Sequence, residues 1–278
     1  MSLKFLQKYS YAAGTAARKI RHGLGLPINQ KLIRFCGIQR SGNHALINWI
    51  IAQEALPTCF INGAFPGMNP WEDNNWGISY PHYPYWPASR DRQGALVKKE
   101  LMIYSYENRS LIDIENDKSH LPTYIGKSQE DYLVMVLRDP YNTFASWLQR
   151  DTPVNEEIIS LWKSYAYEFI GRTDTLSAPK VFVNFNAWFS EPDYRKYLAH
   201  KLGLTFTDRG LKEVSHHGGG SSFDGRSLKG NATSMNVLNR FEDFLDNQEF
   251  RMLFEKDDEL KQLSHEVFDA LKHPFTHP

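Results

Sequence analysis

Apolar positions along this chain fall into two alternating rhythms, short unbroken runs and helically spaced sets, with polar turns between them. Ile33-Arg34-Phe35-Cys36-Gly37-Ile38 reads as a buried strand and Gln39-Arg40-Ser41-Gly42 as a turn. Residues 43–56 read as a helix, with Leu46, Ile47, Ile50 and Ile51 on one side and Pro57 as its stop. Cys59-Phe60-Ile61-Asn62 is a short second strand. Residues 132–137 repeat the grammar, followed by the charged turn Arg138-Asp139 and a helix opened by Pro140, whose missing N–H costs nothing at the first helical position. Ile158, Ile159, Leu161, Trp162, Tyr165, Ala166, Phe169 and Ile170 recur at helical spacing as core packing. Residues 194–202 read as a helix ended by Gly203, and 235–268 as one or two surface helices, where Arg240 either reaches a ligand or stands exposed, the exposed state being the favoured reading. Such alternation implies βαβ units. The expected fold is α/β, a single domain over residues 31–278 with a central, mostly parallel β-sheet flanked by helices and a ligand crevice at the strands' carboxyl ends.

Three stretches depart from this rhythm. Residues 1–30 mix Phe5, Leu6, Tyr9, Tyr11, Ala12 and Ala16 with Lys4, Lys8, Arg18, Lys19 and Arg21. They read as a basic amphipathic helix that either touches an anionic membrane surface or docks on the fold. Residues 65–92 crowd Trp71, Trp76, Trp86, Tyr80, Tyr83 and Tyr85 among prolines and glycines without strand or helix period. Both an acceptor-binding lid and a satellite core fit such an insertion. Residues 94–101 return to strand character, and Lys98, Lys99 and Glu100 break it. Charges that end a strand at the crevice suggest chemistry.

The two strand-turn-helix junctions are where anions bind. The first helical N–H groups lack intrahelical acceptors and the helix dipole concentrates positive charge there. In the first junction Gly42 permits close approach, Arg40 adds a planar cation and Ser41 a hydroxyl, and Asn43 and His44 are placed to reach remaining oxygens. No Lys-Ser or Lys-Thr pair follows Gly42, so the loop differs from a nucleoside-triphosphatase loop and metal-free anion binding is the better reading. In the second, Arg138 and Ser146 lie eight residues apart and meet one anion only if the helix folds back beside the strand end.

Two such junctions suggest a ligand with two separated acidic groups, and together they resemble the sulfotransferases that use 3′-phosphoadenosine 5′-phosphosulfate (PAPS). In that family a strand-loop-helix with Lys or Arg before Ser-Gly holds the 5′-phosphosulfate, and Arg40-Ser41-Gly42-Asn43-His44-Ala45 is similar to it. An Arg-x-Pro turn with Ser eight residues on holds the 3′-phosphate, as in Arg138, Pro140 and Ser146. Residues 181–186 resemble the family's buried strand before the last core helix, and Phe185 stands in the place of its aromatic residue near adenine. The glycine-rich stretch from His216 to Gly230 looks like the loop that closes over the 3′-phosphate, with Ser221, Arg226, Lys229 and Gly230 as its candidate contacts. Lys98-Lys99-Glu100-Leu101 resembles the family's Lys-x-His-Leu segment, with Glu100 in the place of the general base. The resemblance covers roughly residues 31–245. It implies sulfuryl transfer to an acceptor hydroxyl or amine, with Arg40 neutralising charge on the bridging oxygen, the amides from Ser41 to Ala45 holding the 5′-phosphate and His44 donating to a departing oxygen. Lys98 and Glu100 complete the catalytic set, an ion pair of Glu100 with Lys98 or Lys99 being the alternative reading. A kinase-like phosphotransferase and a non-catalytic nucleotide-binding module are the rival readings.

Composition narrows the partners. Lys plus Arg and Asp plus Glu both number 32, so no global positive field invites nucleic acid and any cationic site is local. The acceptor is unspecified by sequence: the aromatic insertion hints at a carbohydrate or glycolipid, and similar rings suit a small phenol or steroid. Cys36 and Cys59, expected on neighbouring strands, read as small buried hydrophobes in a reducing compartment. No run of about eighteen apolar residues and no signal-like segment occurs, so a soluble, cytoplasmic protein is expected, with peripheral membrane contact through the N-terminal segment as the one exception. His216 and His217 lack suitably spaced partners, and no metal is expected.

Overall fold

The computed structural model describes residues 23–53, 57–71, 77–82, 98–177, 179–214 and 230–268, together with positions 9, 12–14, 16, 17, 19–21, 221, 223–225 and 227. Six strands, β1 (Asn29–Gly37), β2 (Thr58–Ile61), β3 (Ile78–Ser79), β4 (Lys99–Glu107), β5 (Ser128–Leu137) and β6 (Lys180–Asn184), form one mostly parallel sheet in the order β3-β2-β4-β1-β5-β6. The expected α/β architecture is therefore present. The helices are α1 (Asn43–Gln53), α2 (Leu111–Asp117), α3 (Leu121–Tyr124), α4 (Pro140–Leu148), α5 (Glu156–Phe169), α6 (Phe185–Ser190), α7 (Pro192–Lys201), α8 (Gln248–Glu255) and α9 (Asp258–Phe268). Short 3-10 turns occupy Ala232–Ser234 and Arg240–Phe244.

The strand order places the crevice. The chain leaves β1 through α1 toward β2 on one side, and leaves β5 through α4 and α5 toward β6 on the other. Adjacent strands whose connections diverge define a switch point, and in open α/β sheets ligands bind outside the carboxyl ends there. β4 lies between β1 and β2, so Cys36 and Cys59 are on non-adjacent strands; both are buried, unbridged thiols.

The chain divides into two compact units. One comprises Met1–Cys36, Ala55–Val134 and Leu176–Lys180; the other comprises Gly37–Glu54, Met135–Thr175 and Val181–Pro278. In the first unit β2 pairs parallel with β4 and antiparallel with β3, which falls inside the aromatic stretch read as irregular. Trp71 and Tyr80 of that stretch are buried, and the Trp71 indole donates to the Tyr124 carbonyl at 2.9 Å, so these two rings serve as packing. Trp76, Tyr83, Tyr85 and Trp86 lie outside the described residues. The described positions from Tyr9 to Gly23 are helical, and Tyr9, Ile20, Leu24 and Leu26 are exposed. Among the described residues no helix is long and apolar enough to cross a membrane.

The second unit holds α1 and α4 to α9. α1 buries Leu46, Ile47, Trp49, Ile50 and Ile51 together with Asn43 and Gln53, and its far end is tied down by polar groups. Trp49 Nε1 donates to Asp208 at 2.9 Å, Arg195 grips the same carboxylate with two nitrogens at 2.8 and 2.9 Å, and Gln53 Oε1 accepts from the Thr207 and Asp208 amides. Phe250, Phe254, Leu260, Leu263 and Val267 of α8 and α9 are buried, so the C-terminal helices contribute to the core as well as to the surface.

Candidate anion-binding site

Both junctions fall in the second unit. At the first, the chain leaves β1 at Gly37, where a Cβ would lie 2.6 Å from Val136 of β5 and 2.4 Å from Asn43 Oδ1. Ser41 N–H closes a turn on the Ile38 carbonyl at 3.1 Å, Arg40 is held at φ 71° and Gly42 at φ 85°. A positive φ is unfavourable for an arginine, and such backbone persists only where its surroundings impose it. One surrounding group is the Trp147 indole, which donates to the Gln39 carbonyl at 2.8 Å.

The loop's donors are fewer than the sequence suggested. Ser41 and Ala45 amides are engaged with the Ile38 and Gly42 carbonyls, and the Asn43 side chain turns inward to the Ile38 carbonyl at 3.2 Å instead of outward to a ligand. Gly42 remains at the tip, Arg40 and His44 are half-buried beside it, and the hydroxyl of fully buried Ser41 has no hydrogen-bond partner among the described residues. An orphaned buried hydroxyl is costly enough to need an explanation, and a bound oxyanion supplies one.

At the second junction Asp139 caps α4, accepting from the Asn142 amide at 2.7 Å, and Pro140 stands inside the first turn as expected. α4 folds back, so Arg138 Nη1 reaches Ser146 Oγ at 3.3 Å; the eight-residue spacing is a contact. The same nitrogen donates to the Arg40 carbonyl at 3.1 Å, which joins the two loops directly. Arg138 Nη2 donates to the Val237 carbonyl, Trp162 Nε1 donates to the Arg138 carbonyl at 3.0 Å, and Arg138 Nε is buried with no hydrogen-bond partner among the described residues. Burial chiefly pulls the Arg138 pKa down to about 10, with Asp139 opposing the fall and the charge of Arg240 adding to it.

Phe185 lays its ring against both loops. It opens α6 rather than closing β6, its ring lies 5.3 Å from the Arg138 guanidinium, and a Cβ on Gly42 would come within 2.0 Å of the same ring. Ser221 belongs to a turn bridged to Gly225 and capped by its own hydroxyl, which accepts from the Phe223 and Asp224 amides. Gly230 has φ 80°, whereas Arg226, Lys229, His216 and His217 lie outside the described residues.

Arg240 departs from the favoured of its two readings, the exposed one. It is 7% exposed instead of standing on a surface helix, and it donates to Ser221 Oγ at 2.8 Å and Asp224 Oδ2 at 3.1 Å. Its burial follows from the docking of the preceding segment: Asn142 Nδ2 donates to the Leu238 carbonyl at 2.7 Å and Asn142 Oδ1 accepts from the Phe241 amide. An arginine amid Asn, Phe and Glu carries no sequence signal for this, because the contacts span about a hundred residues.

Lys98 and Glu100 are corrected as well. Lys98 precedes β4 and Glu100 lies at its start rather than at its end, beside the starts of β1 and β2, where the Lys99 and Glu100 amides donate to the Ile28 and Pro57 carbonyls. The amino end of a parallel strand is the wrong end for a crevice residue. Glu100 pairs with Lys98 at 3.1 Å, and the two are 32% and 59% exposed. The carboxylate at the carboxyl end of β4 is Glu107, which strand direction would have identified. Among the described residues no cluster of His, Cys, Asp and Glu could hold a metal ion. Compared with models of known protein families and with curated proteins, the chain matches none.

Proposed function

We propose that this protein is a sulfotransferase whose donor is 3′-phosphoadenosine 5′-phosphosulfate. The observation that carries the reading is the meeting of two arginine-bearing junctions in one unit: Arg138 touches both Ser146 and the Arg40 carbonyl, and one aromatic ring contacts Gly42 and Arg138 alike. Two cationic loops a few ångströms apart suit a compact ligand with two anionic groups. The orphaned Ser41 hydroxyl and Arg138 Nε are donors of the kind such groups would satisfy.

In the reaction the bond from sulfur to the bridging phosphate oxygen breaks and a bond to the acceptor's oxygen or nitrogen forms. The acceptor's proton is released, and adenosine 3′,5′-bisphosphate departs. Positioning and electrostatics supply most of the rate in transfers of this type. Arg40 offsets charge on the leaving oxygen, His44 donates to it, and Gly42 lets the 5′-phosphate approach the backbone. Arg138 and Ser146 select the 3′-phosphate. The acceptor is a hydroxyl or amine compound, and a carbohydrate or glycolipid is the first class to screen.

Calorimetry tests the donor reading. The protein is expected to bind adenosine 3′,5′-bisphosphate more tightly than adenosine 5′-monophosphate, and Arg138→Ala is expected to weaken the bisphosphate about tenfold to a hundredfold. Stronger binding of ATP with magnesium would replace the reading with a kinase-like one. Bisphosphate binding without turnover on any acceptor would leave a nucleotide-binding module.

A further inference from the structure

The helix formed by the described positions from Tyr9 to Gly23 turns an apolar side to solvent. At about 100° per residue Tyr9, Ala13, Ala16 and Ile20 share that side, and all four are exposed, Tyr9 and Ile20 at 63% each. Gly14 is buried and Ala17 and Arg21 are half-buried, so the side about a third of a turn away is the one that packs. The helix closes at Gly25, held at φ 68°, where the Leu24 amide donates to the Ile20 carbonyl and the Leu26 amide to the Arg21 carbonyl, both at 3.0 Å. In this closing motif an apolar residue in the place of Leu26 often folds back on an apolar residue in the place of Arg21. Here that position is charged, and Leu24 and Leu26 are 67% and 52% exposed. A Cβ on Gly23 or Gly25 would meet no atom within 4 Å, so the two leucines stand on an open tip. Contiguous exposed apolar surface of this kind marks contact with another body.

The charges indicate which body. From Met1 to Gln53 the chain has no Asp or Glu, and Lys4, Lys8, Arg18, Lys19 and Arg21 accompany the apolar positions. Because the whole chain carries as many acidic as basic residues, the eight Lys and Arg residues of 1–53 leave residues 54–278 with an equal net excess of acid. An anionic surface therefore attracts this segment and repels the rest of the chain, which selects both the contact and its orientation. We propose that the exposed side of this helix and its closing turn form a docking element for an anionic lipid bilayer. Tyr9, Ile20, Leu24 and Leu26 enter the headgroup boundary, and Lys19, exposed beside Ile20, joins the other basic residues of the segment in drawing it to lipid phosphates and carboxylates. A narrow tip of two leucines suits a bilayer, which deforms around it, whereas a protein partner needs a pocket of matching shape. The docking is independent of the donor reading, and either can fail alone.

The experiment is co-sedimentation of the full chain with vesicles of phosphatidylcholine alone and of phosphatidylcholine with about 30% phosphatidylserine, at about 0.1 M and about 0.5 M salt. Wild type is compared with the double variant Leu24→Ser, Leu26→Ser and with Lys19→Glu, and each protein is melted without vesicles. Wild type is expected to bind the anionic vesicles at least about tenfold more tightly than the neutral ones and to lose most of that preference at the higher salt. The leucine variant is expected to bind anionic vesicles about tenfold more weakly and Lys19→Glu about fivefold more weakly, with melting temperatures like that of wild type because all three positions are exposed. Equal binding of wild type to both vesicles, or to neither, overturns the proposal. Unchanged binding by the leucine variant overturns the insertion of the tip. A dimer of wild type in sedimentation velocity without vesicles, abolished in the leucine variant, would assign this face to a second copy of the chain instead. Should the leucine variant fail to fold, Lys19→Glu and the salt dependence still decide.

Discussion

Gly42 has no room for a side chain. Its φ of 85° is strained for any L residue, and the Phe185 ring occupies the position of a Cβ. Gly42→Ala adds about 1 to 2 kcal/mol for the left-handed backbone and a further 1 to 3 kcal/mol for overpacking, so a loss of about 2 to 5 kcal/mol is expected in urea unfolding. Phe185→Leu in the same background should recover part of the packing cost and none of the backbone cost, and the double-mutant cycle separates the two. A Gly42→Ala protein as stable as wild type would mean that the ring does not pack on the loop. The glycine itself was legible in the sequence, because a tight strand-to-helix turn needs that residue type. Its contact with Phe185, more than a hundred residues away, was not. Arg240 shows the same limit: its neighbours give no apolar period that marks burial, and only the docking of residues 237–241 on Asn142 and Arg138 takes it out of solvent.

α4 is the element the site depends on most, since it carries Ser146 back to Arg138 and presents Trp147 to the first loop. Its start was readable: Asp139 followed by Pro140 after an apolar run is a local signal, and both side chains do what their types favour at a helix start. Asp139→Ala removes that cap and leaves the Asn142 and Asn186 amides without their shared acceptor. Loss of the cap alone is expected to cost about 0.5 to 2 kcal/mol by chemical denaturation. Bisphosphate affinity should fall with it, because the Arg138–Ser146 spacing depends on the first turn. Unchanged affinity in a destabilised Asp139→Ala protein would show that the spacing is set elsewhere, for example by the Trp162 indole on the Arg138 carbonyl. Strand order was less readable than helix starts. β4 inserts between β1 and β2, and nothing in the apolar pattern of residues 58–61 or 99–107 states which strand they will adjoin.

At the scale of the whole molecule, the order β3-β2-β4-β1-β5-β6 sets the carboxyl ends of β1 and β5 side by side at the switch point, and this brings together two motifs about a hundred residues apart in sequence. The same reasoning places Glu100 at the amino end of β4, away from the strands' carboxyl ends. The charged triplet Lys98-Lys99-Glu100 was read as the end of a strand because apolar residues precede it, yet the fully buried run Leu101 to Tyr106 follows it and makes it the beginning. A parallel sheet has a functional edge and a structural one, and reading a strand from the wrong side moves a residue from the first to the second. The partly exposed Glu100–Lys98 pair belongs to the class worth about 0 to 1 kcal/mol. Glu100→Gln should therefore change the melting temperature by little, leave bisphosphate affinity as it is and, once an acceptor is found, leave kcat within about twofold. A general base contributes about a hundredfold to ten-thousandfold, so a loss of that size in kcat at unchanged KM would restore Glu100 as the base and place the acceptor's proton at the amino end of β4.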